Sequence, residues 1–246
     1  MNKSTTRIGI FIGIALIWSY AWFSQRHLLN NIIGNFQSIA ILFFGLVPTF
    51  GLVIGSLLLR PKLKKKEVSI AGTNLKYSII ILSIPILCLT LIGVENIFGI
   101  QANLFGAFIG IFTMIYAFLE EYGWRGYLQE ELLNNFNKWI VYIIVGVIWY
   151  TWHWYFLREG NDAKIIMIPI LIAASVGIGE IAKMTKSIMI CAAVHGIVNI
   201  LIIYSIISNQ LSSIQKILIL VTCLAIWIPL IRKLEKQNTA SNNDNK

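Results

Sequence analysis

The stretch ANLFGAFIGIFTMIYAFLEEYGWRGYL, residues 102–128, decides how the rest of the chain is read. It carries no charge from Ala102 through Leu119; Glu120 and Glu121 then stand side by side, with Arg125 one turn further on. A run of about 20 apolar residues is what a helix needs to cross a bilayer. A charged side chain at the centre of such a helix costs about 2.5–3.5 kcal/mol, while each Leu, Ile, Phe or Val returns only about 0.3–0.6. Three charges would therefore offset much of the insertion energy of a whole helix. Either they sit at the membrane edge, where the cost falls, or they pair inside and have a function.

Working outward, seven further apolar runs appear: residues 8–24, 36–59, 77–94, 139–157, 165–182, 188–207 and 217–231. Of the 246 residues, 57% are hydrophobic and 13% charged, against about 25% charged in a soluble domain. The fold class is therefore all-α: a polytopic transmembrane helical bundle of about eight spans. A single domain over residues 1–236 suffices, with a disordered cytoplasmic tail over 237–246. The first run follows Lys3 and Arg7 like a signal peptide, but Trp18, Tyr20, Trp22 and Phe23 and the lack of a clean small-residue cleavage site favour an uncleaved helix. Cys88, Cys191 and Cys223 match no metal spacing and no disulfide framework.

The net charge of +9 fits topology better than nucleic-acid binding, because basic residues flank the runs. Eight crossings place both termini together and put all but four of the 20 basic residues on that side; Arg26, Arg158, Lys164 and Lys216 are the exceptions. The richer side is expected to be cytoplasmic, and the membrane is expected to be the cell membrane. Small-residue pairs at Gly9/Gly13, Gly51/Gly55 and Gly106/Gly110 are expected to let helix backbones approach. No glycine-rich phosphate loop is present, which argues against an ATP-driven pump.

Few ionisable groups lie inside or at the ends of these runs: Glu120, Glu121, His153, Glu180 and His195, with Asn199 as a neutral companion. Glu121 and Arg125, at i,i+4, share a helix face and can form a clamp, while Glu120, turned about 100° away, is left free to react. The bland alternative is an interfacial charge cluster that ends the helix. His195 and Asn199 are also i,i+4, and the alternative there is a helix-packing hydrogen bond. Trp152, Trp154 and Tyr155, around His153, suit an aromatic belt near the outer end. A straight helix from Trp139 puts His153 about 21 Å from the cytoplasmic edge, deeper than Glu120 is expected to lie. Glu180 is read as an interfacial residue paired with Lys183.

Taken in order, Glu120, Glu121 and Arg125, then Trp149 and His153, then His195 and Asn199, resemble the CPBP family: the CAAX proteases and bacteriocin-processing or immunity proteins, also called Abi. The resemblance covers roughly residues 103–207. The family usually has Phe where Trp149 stands, which keeps an aromatic wall and changes its bulk. The resemblance implies an intramembrane endopeptidase, acting on a peptide or protein substrate in contact with the lipid bilayer and not on nucleic acid.

The residues suit hydrolysis by an activated water. Glu120 would be the general base, with the water held together with His153. His195 and Asn199 would donate to the tetrahedral oxyanion. Glu120, His153 and His195 with an open fourth position would also make a catalytic zinc set, in line with the metalloprotease label the family often carries. The neutral Asn199 amide fits hydrogen-bond donation better than ligation, and the residues leave both readings open. Two other readings compete: a catalytically silent immunity or scaffold protein, and a proton-coupled transporter. The layout shows no paired broken helices, which weakens the transporter.

Overall fold

The computed structural model describes the backbone of residues 3–33, 37–154 and 161–244, and the side chains within these except 26–33, 37–44, 161–165 and 241–244. In chain order the helices are α1 (Lys3–Ile33), α2 (Gln37–Leu59), α3 (Leu75–Ile92), α4 (Ala102–Gly123), α5 (Gln129–Leu133), α6 (Lys138–Trp152), α7 (Asn161–Thr185), α8 (Ile188–Val198), α9 (Ser205–Ser208) and α10 (Ser213–Asp244). Among the described residues the only sheet-like pairing is a parallel bridge between Ser69 and Ser187. The expected all-α polytopic bundle is what is found, and the described part of each of the eight apolar runs lies mainly in helix. Five helical stretches of the described residues are long and apolar enough to cross a membrane; α6 and the stretch Ile188–Ile203 are shorter. α10 continues to Asp244, so residues that read as a polar tail stand on its last turns.

The chain forms two compact units. The first comprises Met1–Glu67 and Leu119–Glu180. Here α2 lies close on α1 because Gly51 and Gly55 carry no Cβ: one would come within 2.7 Å of Trp18 Cβ and 2.9 Å of Phe11 Cδ2. Gly9 and Gly13, expected to play the same part, face open space. Gly146 admits Ile172 of α7 in the same way, an added Cβ falling 2.7 Å from its Cα. The start of α6 is fixed by Asn137, whose Oδ1 accepts from the amides of Trp139 and Ile140 at 3.1 and 3.2 Å. Such a cap satisfies amides that have no partner within the helix.

The second unit comprises Val68–Phe118 and Ile181–Lys246. α3 and α10 run antiparallel: Trp227 Nε1 donates to the Ile81 carbonyl at 3.0 Å, and Lys233 lies 5.2 Å from the Tyr77 ring centre. Gly110 of α4 sits against Ile86 of α3, and Gly106 sits directly under the Leu89 carbonyl. α8 is tied at its N-terminus. Ser187 caps it, accepting from the Ile190 amide at 3.3 Å, and its hydroxyl meets that of Ser78 at 2.9 Å. The Ser69 amide donates to the Lys186 carbonyl at 2.8 Å, and the Ile188 amide returns to the Ser69 carbonyl at 3.0 Å. Lys186 adopts φ 58 to make this turn, a conformation uncommon outside glycine.

Candidate active site

The paired carboxylates do not end their helix. α4 passes into a single π-helical turn, Trp124–Leu128, and then into α5, so that residues 102–133 form one helical stretch. The segment after Glu120 is packed inside its unit: Trp124, Arg125, Tyr127, Leu128, Gln129, Glu130 and Glu131 are all buried. α1 supplies the cover, with Phe11 4.9 Å from the Tyr127 ring and 6.1 Å from that of Trp124. Three of the segment's polar groups are partnered from elsewhere in the unit. Arg7 pairs with Glu131, the Glu67 amide donates to Glu130 Oε1 at 3.0 Å, and Arg60 Nε donates to the Gly126 carbonyl at 2.9 Å. Unpaired, these groups would cost several kcal/mol each in such surroundings.

This continuation brings Glu120 level with Trp149, one turn before His153. Glu120 lies 13 residues before Leu133, or about 20 Å of helix, and Trp149 lies 11 residues after Lys138, or about 17 Å. A short turn joins the two helices, so they fold back with these positions level. Trp149 Nε1 donates to Glu120 Oε2 at 2.8 Å, and Trp124 Nε1, one turn along from Glu120, donates to the same oxygen at 3.3 Å. Glu120 is wholly buried, and its Oε1 has no hydrogen-bond partner among the described residues.

Glu121 and Arg125 form the expected clamp. Arg125 Nη1 stands 3.0 and 2.9 Å from the two carboxylate oxygens, both side chains are wholly buried, and the guanidinium carbon lies 5.0 Å from the Trp149 ring centre. Trp149 therefore serves both acidic residues at once: its N–H holds Glu120, and its face covers the cation that neutralises Glu121.

His153 is not inside a spanning helix. It caps α6 at φ −83, ψ 68, and is partly exposed. Its Nδ1 lies 2.9 Å from the Trp149 carbonyl. A carbonyl can only accept, so Nδ1 carries the hydrogen, and in the neutral ring Nε2 keeps the lone pair. Trp152 is not a belt residue: it is buried, edge-on to Trp124 at 5.9 Å and to His153 at 4.8 Å. Tyr155 lies outside the described residues. Glu180 is paired as expected, but with Lys138 and with the Tyr142 hydroxyl, at 3.2 Å for the latter, while Lys183 is exposed.

His195 and Asn199 belong to the second unit, whereas Glu120, Glu121, Arg125, Trp149 and His153 belong to the first. His195 stands in the last turn of α8, and Asn199 opens a second π-helical turn, Asn199–Ile203, closed by the Tyr204 amide on the Asn199 carbonyl at 2.8 Å. Both are buried, and Asn199 Nδ2 has no hydrogen-bond partner among the described residues. π-Helical turns inside α-helices are rare and concentrate at functional sites. Two of them fall on the two candidate segments, a feature the sequence did not signal. The indoles were legible in part: Trp124 is four residues from Glu120, a spacing that lets side chains meet.

Among the described residues no three His, Cys, Asp or Glu side chains are gathered as a metal set. Of the three candidate zinc ligands, Glu120 and His153 stand on the first unit and His195 on the second.

These features define a multi-pass α-helical membrane protein with a buried carboxylate held by two indoles, one of which, Trp149, also accepts from His153 through its carbonyl. Residues 101–201, about two fifths of the chain, match the family model described as Rce1-like, type II CAAX prenyl endopeptidase. The match spans both candidate segments and every candidate site residue. No curated protein and no solved structure matches the chain.

Proposed function

We propose that this protein is an intramembrane endopeptidase in which Glu120 activates a water for attack on a peptide carbonyl. The observation that carries the reading is the state of the Glu120 carboxylate: Oε2 is committed to two indole N–H groups, and Oε1 has no protein partner among the described residues. A buried acceptor without a partner is costly, and a water that donates to Oε1 would satisfy it and lose a proton to it. His153 has its Nδ1 turned to the Trp149 carbonyl, so Nε2 is the atom that orients the same water. The Glu121–Arg125 clamp keeps the turn that presents Glu120. His195 and Asn199 are assigned the oxyanion by the motif order, and the unpartnered Asn199 amide is suited to donate. Proton return to the leaving amine from Glu120 completes the cycle.

The charge distribution supports an orientation with both termini in the cytoplasm and in the cell membrane. The test is cleavage of a membrane-tethered peptide library in proteoliposomes by the protein and by Glu120→Gln. The expected result is that cleavage disappears in the variant while thermal unfolding is unchanged. Cleavage that survives the substitution would overturn the reading. A partner-binding phenotype that persists in Glu120→Gln, with no cleavage by either protein, would point to an immunity or scaffold role.

A further inference from the structure

Two donors converge on one oxygen of Glu120, and both are tryptophans. Trp149 Nε1 stands 2.8 Å from Oε2 and Trp124 Nε1 stands 3.3 Å from it. They come from different helical segments, α6 and the π-helical turn after α4. Each ring is itself held. The Trp149 ring lies 5.0 Å from the Arg125 guanidinium, and Trp124 is set edge-on between Phe11 at 6.1 Å and Trp152 at 5.9 Å. Both rings are almost fully buried. Indole nitrogen only donates, so neither can take a proton or serve as a base.

A carboxylate on a glutamate side chain turns freely about its last bond, which is broad and two-fold. Unheld, either oxygen could meet the water. Two N–H donors on Oε2 remove that freedom. They also give one oxygen the charge-assisted hydrogen bonding that a buried carboxylate needs. The phenylalanine usual at the Trp149 position could offer the ring face but no N–H.

We propose that Trp149, assisted by Trp124, is a positioning residue for the reaction: its indole N–H fixes Glu120 Oε2 so that Oε1 is the one oxygen presented to the water. The inference rests on the reading of Glu120 as the base, and adds to it which oxygen acts and what selects it. It also gives the tryptophan at position 149 a chemical role beyond its bulk.

Two measurements test it. The first needs no substrate. In protein labelled with ¹⁵N-tryptophan in detergent micelles, Trp149→Phe and Trp124→Phe each delete one indole N–H resonance and so assign it. Glu120→Gln should move both assigned resonances, that of Trp149 more than that of Trp124, while the other indole signals stay in place. A Trp149 resonance indifferent to Glu120 would overturn the proposal.

The second is kinetic. Losing a hydrogen bond to a charged group is expected to lower kcat about tenfold to a hundredfold in Trp149→Phe, with KM unchanged. Trp124→Phe, which removes the longer bond, should lose less, and the double variant should fall furthest. An unchanged kcat in Trp149→Phe, in a protein whose cleavage depends on Glu120, would overturn the positioning role and leave the base assignment standing. A loss that appears as a lowered Tm with a proportionate fall in active fraction, and no change in kcat per folded molecule, would likewise reduce Trp149 to packing. Absence of any Glu120-dependent cleavage would overturn the base reading, and the positioning role with it, even if the resonances respond.

Discussion

Replacing Glu121 with Gln should unfold the protein far more readily than replacing Glu121 and Arg125 together. Both side chains are wholly buried, and one guanidinium nitrogen faces both carboxylate oxygens within 3.0 Å. Glu121→Gln leaves a buried cation with no carboxylate. Breaking a buried pair in this way costs about 3–5 kcal/mol. The Trp149 face, 5.0 Å away, can return about 2 kcal/mol at most, as it does already in the intact protein. In Glu121→Gln/Arg125→Met neither charge remains. Arg125 Nε and Nη2 have no hydrogen-bond partner among the described residues, so the Met variant gives up little else. Exchange of a buried pair for apolar groups of similar volume is often neutral or stabilising. The remaining contacts of Glu121 are lost in both variants and cancel in the cycle. The coupling should therefore be about 2–4 kcal/mol in favour of the double variant. The assay is equilibrium unfolding in mixed micelles of a mild detergent with increasing SDS, followed by tryptophan fluorescence. Equal losses in the single and double variants, with a coupling under about 0.5 kcal/mol, would refute the clamp.

Gly106→Ala should destabilise the second unit by about 1–3 kcal/mol, because the new methyl group falls on the Leu89 carbonyl oxygen, which belongs to the backbone and has no rotamer to yield; a lowered Tm in detergent checks this, against Gly9→Ala, which faces open space and should change little. Asn137→Ala should cost about 1 kcal/mol through the two amides of α6 that lose their cap, read as earlier SDS unfolding with cleavage per folded molecule retained. In right-side-out cells of a cysteine-free background, a membrane-impermeant maleimide should label Lys216→Cys and leave Lys64→Cys unlabelled until the membrane is opened, since the two positions fall on opposite sides of the eight-span layout; the reverse pattern would invert the orientation.

Much of this protein is legible in its hydropathy. The described parts of the eight apolar runs are mainly helical because a bilayer leaves each backbone amide no partner but its own helix. Hydropathy could not say where the fourth run stops. Glu120, Glu121 and Arg125 end its apolar part; in the fold the helix goes on to Leu133, with Arg7, Arg60 and the Glu67 amide arriving from elsewhere in the chain to partner Glu131, the Gly126 carbonyl and Glu130. The glycine pairs show the same limit. Gly51/Gly55 and Gly9/Gly13 are alike in spacing, yet only the first has a helix against it.

What the sequence determined by itself was the class of protein, its apolar helices and the order of its candidate residues, since composition and i,i+4 spacing are local properties that each helix expresses alone. The Glu121–Arg125 pair belongs to that part. What only the tertiary structure decided was the setting of Glu120. Its indole partner on α6 is 29 residues away, and the level at which the two meet depends on how far each helix runs past the turn between them. The two π-helical turns, and the tying of α8 to Ser69 and Ser78, belong there too. Such features are set by which surfaces close on one another, and a linear pattern of apolar and polar residues does not carry that information.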